Sequence, residues 1–111
     1  MKKTLFICIA LAAVPPSAGW CADVPRQSMK DGTRLYQNKA FDKAAQSFDQ
    51  AAQSAQNGKL DVSVAKYNAA DARYRMGQFG AAATNFAEAT RSPDLALQSK
   101  AYYNRGNALA T

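Results

Sequence analysis

Residues 67–89, with the sequence YNAADARYRMGQFGAAATNFAEA, decide the fold because the segments on either side repeat parts of this stretch. A shift of 38 positions aligns an upstream copy with it at six aromatic or small positions. The aligned pairs are Tyr36 with Tyr74, Phe41 with Phe79, Ala44 with Ala82, Ala45 with Ala83, Phe48 with Phe86, and Ala51 with Ala89. The same sequence unit therefore occurs at least twice in the chain.

A further half copy lies downstream, at a shift of 36 positions. Its aligned pairs are Ala65 with Ala101, Tyr67 with Tyr103, Asn68 with Asn104, and Ala72 with Ala108. Repeats of this length are typical of solenoids, in which each unit buries its apolar face only against a neighbouring unit. The sequence thus predicts a stack of helix pairs rather than a single closed core.

The repeated unit resembles the tetratricopeptide repeat (TPR). That family's pattern places small residues where two helices cross, Gly near the turn, and an aromatic residue at the start of the second helix. The matching positions here are Met76-Gly77-Gln78-Phe79, Ala82, Phe86 and Ala89, with Gly32, Ala70 and Gly106 at the crossing. Lys39 replaces the turn Gly of the first repeat, Leu35 and Arg73 replace usual aromatics, and the spacing exceeds the usual length of about 34 residues. The resemblance covers roughly residues 25–111.

The fold class expected from this resemblance is all-α: an antiparallel helix-pair solenoid of about two and a half TPR-like repeats after an N-terminal signal peptide. The predicted helices cover residues 26–38, from 41 onward, 62–76, 79–90, and 94 or 95 to 110. Expected boundary residues are Pro25 in a first turn, an Asn57-Gly58 stop, Asp61 as N-cap, Gly77 as stop, Ser92 as N-cap and Pro93 at the first helical position. Residues of the second helix that share one face at the three-and-four spacing are Phe41, Ala44, Ala45, Phe48, Ala51, Ala52 and Ala55.

Residues 1–22 are interpreted as a secretory signal peptide. A basic start, Met1-Lys2-Lys3, precedes the apolar run LFICIALAAV and the helix-breaking Pro15-Pro16. The run is shorter than the roughly 20 residues that span a bilayer. Cleavage is expected after Ala22, with Gly19 as an alternative, and lipid attachment at Cys21 is disfavoured by Trp20 before it. The repeat domain, residues 23–111, is accordingly expected in the periplasm.

The composition excludes most catalytic and metal chemistry for the exported segment. The chain has no histidine, its two cysteines lie at positions 8 and 21, and Glu88 is its single glutamate. Without residues 1–22, Lys and Arg number 12 against 8 Asp and Glu, a net charge of about +4. We therefore expect no enzyme activity, no cofactor, no metal and no nucleic-acid partner. Peripheral association with an anionic membrane surface stays open because the domain is basic.

The resemblance implies that a protein partner binds the concave groove lined by the first helix of each repeat. Carried over by alignment, the candidate partner-binding residues are Lys30, Tyr36, Tyr67, Asn68, Asp71, Tyr74, Arg75, Lys100, Tyr103, Asn104 and Asn107. Further members of the same faces are Arg26, Met29, Thr33, Gln37 and Val64. Tyr67 and Tyr103 have an alternative role in packing between adjacent first helices. The cations Lys30, Arg75 and Lys100 have an alternative role as a solvated face.

A variant of the family clamps a terminal carboxylate with Lys, Asn and Arg side chains. Asn68 and Lys100 match two places of that clamp, but Met29, Thr33 and Asn104 occupy the others, which disfavours it. The run from position 103 to 109, YNRGNAL, is also similar to repeats in envelope proteins of the bacterial aerotolerance (Bat) type.

The expected function is that of an exported adaptor or scaffold that binds a peptide or a partner helix. The alternatives are a docking or regulatory segment of a larger envelope enzyme, and a structural spacer without a ligand. The last helix reads as a first helix that lacks its second, so the repeat domain is expected to continue beyond the chain end, although a lone capping helix is the alternative.

Overall fold

The computed structural model describes residues 24–55 and 61–111, and these residues form five α-helices and no strand. The helices are α1 (Val24–Gln37), α2 (Phe41–Ser54), α3 (Val62–Arg75), α4 (Phe79–Ala89) and α5 (Leu95–Ala110). The expectation of an all-α chain is therefore confirmed for this part. The interpretation of residues 1–22 as a signal peptide and the proposed helix stop at positions 57–58 lie outside the described residues.

Each helix packs against the next helix in the chain, so the described helices form a row of neighbouring packed pairs. The repeat seen in the sequence recurs in the side-chain geometry. Tyr36 meets Phe41 edge-on, with ring centroids 5.0 Å apart and an interplanar angle of 73°. Tyr74 meets Phe79 in the same way, at 5.0 Å and 74°. Two helix pairs of this chain are thus built alike.

The turns inside the two pairs also share one conformation. After α1, Lys39 adopts a φ of 63°, and after α3 Gly77 adopts a φ of 78°. In both turns the next residue returns a backbone hydrogen bond of 2.9 Å to the last turn of the helix, from Ala40 to Leu35 and from Gln78 to Arg73. This left-handed C-terminal turn supplies backbone N–H donors for carbonyl groups that have no hydrogen-bond partner within the helix. The prediction that Gly77 ends its helix is confirmed.

The core consists of alanines with one phenylalanine from each second helix. Phe48 is 2% exposed and Phe86 is 1% exposed. The buried alanines are Ala44, Ala45, Ala51, Ala52, Ala55, Ala65, Ala69, Ala70, Ala72, Ala82, Ala83, Ala89, Ala101 and Ala108. The apolar face predicted for α2 is buried except for Phe41, which is partly exposed. Because alanine side chains are short, the helix axes can approach closely, and Phe48 and Phe86 are the large side chains buried between them.

Gly32 marks the closest approach between α1 and α2. A Cβ atom added at Gly32 would lie 2.6 Å from the ring of Phe48, which is closer than such atoms approach in proteins. The prediction of a helix crossing at Gly32 is therefore confirmed. Gly106 behaves differently, since no atom lies within 4 Å of a Cβ built there. The expected crossing at Gly106 has no counterpart among the described residues.

The N-terminus of α3 has the predicted cap, whereas the cap of α5 differs from the prediction. Asp61 accepts a hydrogen bond of 2.9 Å from the backbone N–H of Ser63. At α5, Asp94 is the N-cap and accepts from the backbone N–H of Ala96 at 3.0 Å. Ser92 and Pro93 lie before this cap, so their predicted roles as N-cap and first helical residue are wrong.

Ser92 has another role, since its position two residues before the cap aims its hydroxyl at the preceding pair. It is 1% exposed, donates to Asp61 Oδ2 at 3.1 Å and accepts from the backbone N–H of Asp94 at 3.1 Å. The side chain therefore ties the start of α5 to the start of α3.

Candidate functional site

Hydrogen bonds between side chains join α1 to α3 on the surface that carries most of the candidate residues. Tyr36 Oη donates to Asp71 Oδ2 at 3.2 Å, and Arg75 Nε donates to Tyr36 Oη at 3.0 Å. The guanidinium carbon of Arg75 also lies 5.8 Å from the ring centroids of Tyr36 and Phe41. Burial raises the pKa of the Tyr36 phenol, the charge of Asp71 raises it further, and Arg75 partly offsets the shift. The three polar residues therefore hold one another in place.

A second link joins α3 to α5. Asn104 Nδ2 donates to Tyr67 Oη at 2.6 Å, and the Tyr67 ring packs edge-on against Phe86 with centroids 5.3 Å apart. Burial raises the pKa of Tyr67, with a further contribution from Asp71. Tyr67 and Asn104 thus act in packing between adjacent first helices, which is the alternative role that the sequence left open for the tyrosine.

Between α1 and α3 the surface opens into a recess with a volume of about 310 Å³. We call it the α1–α3 recess; its lining residues are Thr33, Tyr36, Gln37, Phe48, Asn68 and Asp71. Thr33 Oγ1 is bonded to the backbone of Met29 at 2.9 Å. Asn68, by contrast, makes no side-chain hydrogen bond to any described residue and is only partly buried. Its amide can both donate and accept, so it is the side chain best placed to bond a ligand in the recess.

The remaining candidate residues lie at other places on the chain. Tyr74 packs into the cluster around Phe86 and is partly buried. Lys30 borders a second, shallow depression of about 320 Å³ beside α1. Lys100 is exposed on α5, and Tyr103 is 72% exposed, so Tyr103 is not packed between first helices. Asn107, also on α5, is partly buried. The structure therefore brings Tyr36, Asn68 and Asp71 together in the recess, with Arg75 bonded to Tyr36, and leaves the other candidates apart from it.

Sequence reasoning missed a polar network on the opposite side of α3. Arg73 donates to both carboxylate oxygens of Asp49 in α2, at 3.1 and 2.5 Å, and to Asn85 Oδ1 in α4 at 2.7 Å. Asn85 Nδ2 donates to Glu88 Oε1 at 3.0 Å, and Lys66 Nζ lies 3.4 Å from the same oxygen. The hydrogen bonds to Asp49 are the main cause that raises the pKa of Arg73. The available signal was Arg73 itself, a cation at a position where the repeat pattern places an aromatic.

The requirements of a metal site and of a membrane-spanning helix can also be compared with the described residues. No group of three or more carboxylate or thiol ligands is gathered there. None of the five helices combines the length and the apolar character that crossing a bilayer requires. Comparison of the chain with protein-family models, curated proteins and solved structures gave no match.

Proposed function

We propose that this chain is an exported TPR-like helical-repeat adaptor that binds a peptide or helix of a protein partner along the first helices of its repeats. One observation carries the proposal: the α1–α3 recess has a partly buried amide, Asn68, without a partner among the described residues. The unbonded amide atoms of Asn68 are accessible to solvent, so a ligand that bonds them replaces water and gains a hydrogen bond together with contact area in the recess. The recess is therefore suited to bind the backbone of a peptide, whose N–H and C=O groups can bond Asn68.

The polar links around the recess favour a preformed binding surface. Tyr36, Asp71 and Arg75 are fixed by their mutual hydrogen bonds, and only Asn68 and Gln37 keep unbonded amides. A surface that is already ordered loses little conformational entropy on binding. Tyrosine adds contact area with few rotatable bonds. We expect an extended peptide segment to contact Asn68 through its backbone and the Tyr36 ring through a side chain.

The test compares capture of envelope proteins by the purified protein and by its Asn68→Ala variant. Removal of this amide should abolish capture of the partner without changing the free energy of unfolding by more than about 0.5 kcal/mol. The matched control is Gln46→Ala, which removes an exposed amide from α2, on another helix. Tyr67 and Asn104 are unsuitable for this test because their hydrogen bond joins α3 to α5.

A photo-cross-linker at position 37, at the edge of the recess, adds a direct readout, since it should label the same partner. A cross-linker at position 46 should not. If the Asn68→Ala variant captured the same proteins as the parent in equal amounts, the recess would not be the binding site.

A structural spacer is the second candidate, and a specific observation favours it. Five of the predicted groove residues use their polar groups in hydrogen bonds between first helices of this chain: Tyr36, Asp71, Arg75, Tyr67 and Asn104. A spacer predicts that neither Asn68→Ala nor Gln46→Ala changes anything beyond stability. The two candidates thus differ in the capture experiment alone.

Export is tested separately. We infer that residues 1–22 are removed as a signal peptide, with Ala22 before the cleaved bond. N-terminal sequencing of the protein from the envelope fraction should then begin at Asp23. An intact Met1 in that fraction, or a start at a lipid-modified Cys21, would contradict this proposal.

A further inference from the structure

Helix α5 exposes a contiguous face with large apolar side chains. Tyr102 is 55% exposed, Tyr103 72% and Leu109 64%, and Gly106 lies among them with open space beyond its Cα atom. Residues three, four and seven positions apart share one side of a helix, so these four residues form a single strip, which we call the α5 face. Ala101 and Ala108 are buried on another side of the helix, where α5 packs against α4.

The internal repeat shows what the equivalent face does elsewhere in the chain. In α3, the positions equivalent to Tyr103 and Gly106 are Tyr67 and Ala70, and both pack in the cluster around Phe86 of α4. That face of a first helix is therefore the one that receives the following second helix. The α5 face continues this series of interfaces but has no helix on it among the described residues.

Gly106 indicates the shape of the missing contact. The equivalent residue of α1 is Gly32, and the ring of Phe48 lies directly over it, within 2.6 to 2.9 Å of an added Cβ. Only a residue without a Cβ leaves room for a ring so close to the helix axis. Gly106 leaves the same space open, so the α5 face can accommodate one aromatic side chain at this position.

Charge indicates the chemistry of the helix that fits. The first helices are basic: α1 and α3 each carry three cations and one anion, and α5 carries Lys100 and Arg105 with no acidic residue. The second helices are acidic: α2 has two aspartates and one lysine, and Glu88 is the only charged residue of α4. Opposite charges meet at their contacts, as between Lys66 and Glu88. A helix seated on α5 is thus expected to carry net negative charge.

We propose that the α5 face binds an acidic amphipathic helix of a partner protein, whose aromatic side chain packs over Gly106 as Phe48 packs over Gly32. A second copy of α5 would bring two further cations against Lys100 and Arg105, which disfavours that occupant. Binding to a membrane surface does not require a helix position without a Cβ atom, such as Gly106. The contact does not involve the α1–α3 recess, so either proposal can fail while the other stands.

The probe is a synthetic peptide with the sequence of residues 40–55, AFDKAAQSFDQAAQSA. It contains the acidic helix α2, which packs on the glycine-containing face of α1 in this chain. A side-chain staple between positions 46 and 50, both exposed on α2, keeps it helical, because so short a helix is marginal alone. Fluorescence anisotropy measures its binding to the full protein. Phe48→Ala in the peptide should weaken binding at least about tenfold, the factor that corresponds to about 1.4 kcal/mol. Lysine at positions 42 and 49 of the peptide should weaken it as well.

The matched protein variants are Gly106→Gln and Gly80→Gln. The first fills the space proposed for the aromatic side chain, and the second adds the same side chain at another helical glycine with open space. Both should keep the parent's circular dichroism, and only Gly106→Gln should lose the peptide at least about tenfold. Equal binding by the two variants would overturn the proposal. So would self-association of the parent, but not of Gly106→Gln, in sedimentation equilibrium, because the occupant would then be a second copy. Displacement of the peptide by phosphatidylglycerol vesicles that bind parent and Gly106→Gln equally would overturn it in favour of a membrane surface.

Discussion

At the scale of single residues, Gly32 and Phe48 set the distance between α1 and α2. The Phe48 ring is 2% exposed, so it cannot swing into solvent when another atom enters its space. Gly32→Ala would place a methyl group 2.6 Å from that ring. Overpacking of this kind costs about 1–3 kcal/mol, which exceeds the gain of about 1 kcal/mol from replacing a helical glycine by alanine. We expect a net loss of about 1 kcal/mol and a melting temperature lower by about 4–8 °C in a thermal scan.

The same substitution at Gly106 and at Gly80 provides the control. Neither position has an atom within 4 Å of an added Cβ, so only the gain in helix propensity operates. Stability should stay equal or rise by up to about 1 kcal/mol. A loss at these two positions as large as that at Gly32 would show that contact with Phe48 is not the cause.

A second residue-scale prediction concerns the two left-handed turns. Lys39 has a φ of 63° and bears a side chain, whereas the equivalent Gly77, at 78°, does not. A left-handed conformation costs a residue with a Cβ about 1–2 kcal/mol, which outweighs the extra chain entropy of glycine. Lys39→Gly should raise the free energy of unfolding by about 0.5–1 kcal/mol, and Gly77→Ala should lower it by about 1 kcal/mol, both measured by urea titration. Changes of the same sign in both variants would contradict this account.

At the scale of the helices, Arg73 joins α3 to both of its neighbours. Its planar guanidinium bonds both oxygens of Asp49 and reaches Asn85, a geometry that the ammonium of lysine cannot reproduce. The pair is partly solvated, with side-chain exposures of 20% and 35%, so solvent screening reduces its contribution. A double-mutant cycle of Arg73→Ala with Asp49→Ala should give a coupling free energy of about 1 kcal/mol. Additive effects would mean that the pair contributes nothing to the contact between α2 and α3.

The tyrosines that join the first helices give the stability a dependence on pH. Burial raises the pKa of Tyr36 and of Tyr67 in the folded chain above the unfolded value of about 10. Folding therefore favours the neutral phenols, and their contribution is complete below about pH 10 and lost as the pH rises through the folded pKa. A Tyr36→Phe, Tyr67→Phe variant should lose less stability than the parent between pH 9 and pH 11 in urea titrations, although it is less stable at pH 7. Parallel curves for the two proteins would contradict the assignment.

The helices could be predicted from the sequence because each depends on local signals. The spacing of Phe48 among alanines identified the buried face of α2, and Asp61 and Gly77 identified the ends of α3. The role of Ser92 could not be found in this way, because its hydroxyl is bonded to Asp61, 31 positions away. The link from Asn104 to Tyr67 likewise depends on how two helix pairs stack. Alignment can nominate such residues for a surface, but it does not show whether their polar groups are already bonded within the chain.

At the scale of the whole molecule, the row of helices implies unequal protection from local unfolding. Helix α3 packs against both α2 and α4 and bonds to α1 and α5 through Tyr36 and Tyr67, whereas α1 packs mainly on α2. In a chain whose units contact only their neighbours, terminal units open at a lower free energy than central ones. Native-state hydrogen exchange should therefore show the slowest amides in α3, intermediate rates in α2 and α4, and the fastest helical amides in α1 and α5.

Binding and mutation should shift this pattern in a defined way. Arg73→Ala should raise exchange in α2, α3 and α4 more than in α1, because the contacts that it removes are those to Asp49 of α2 and Asn85 of α4. The stapled peptide on the α5 face should slow exchange in α5 first, because a helix with partners on two sides acquires the environment that α3 already has. Equal protection in all five helices would instead indicate a single cooperative unit, in which no helix pair unfolds independently of the others. The gradient therefore tests whether the repeat governs the energetics of the molecule as well as its shape.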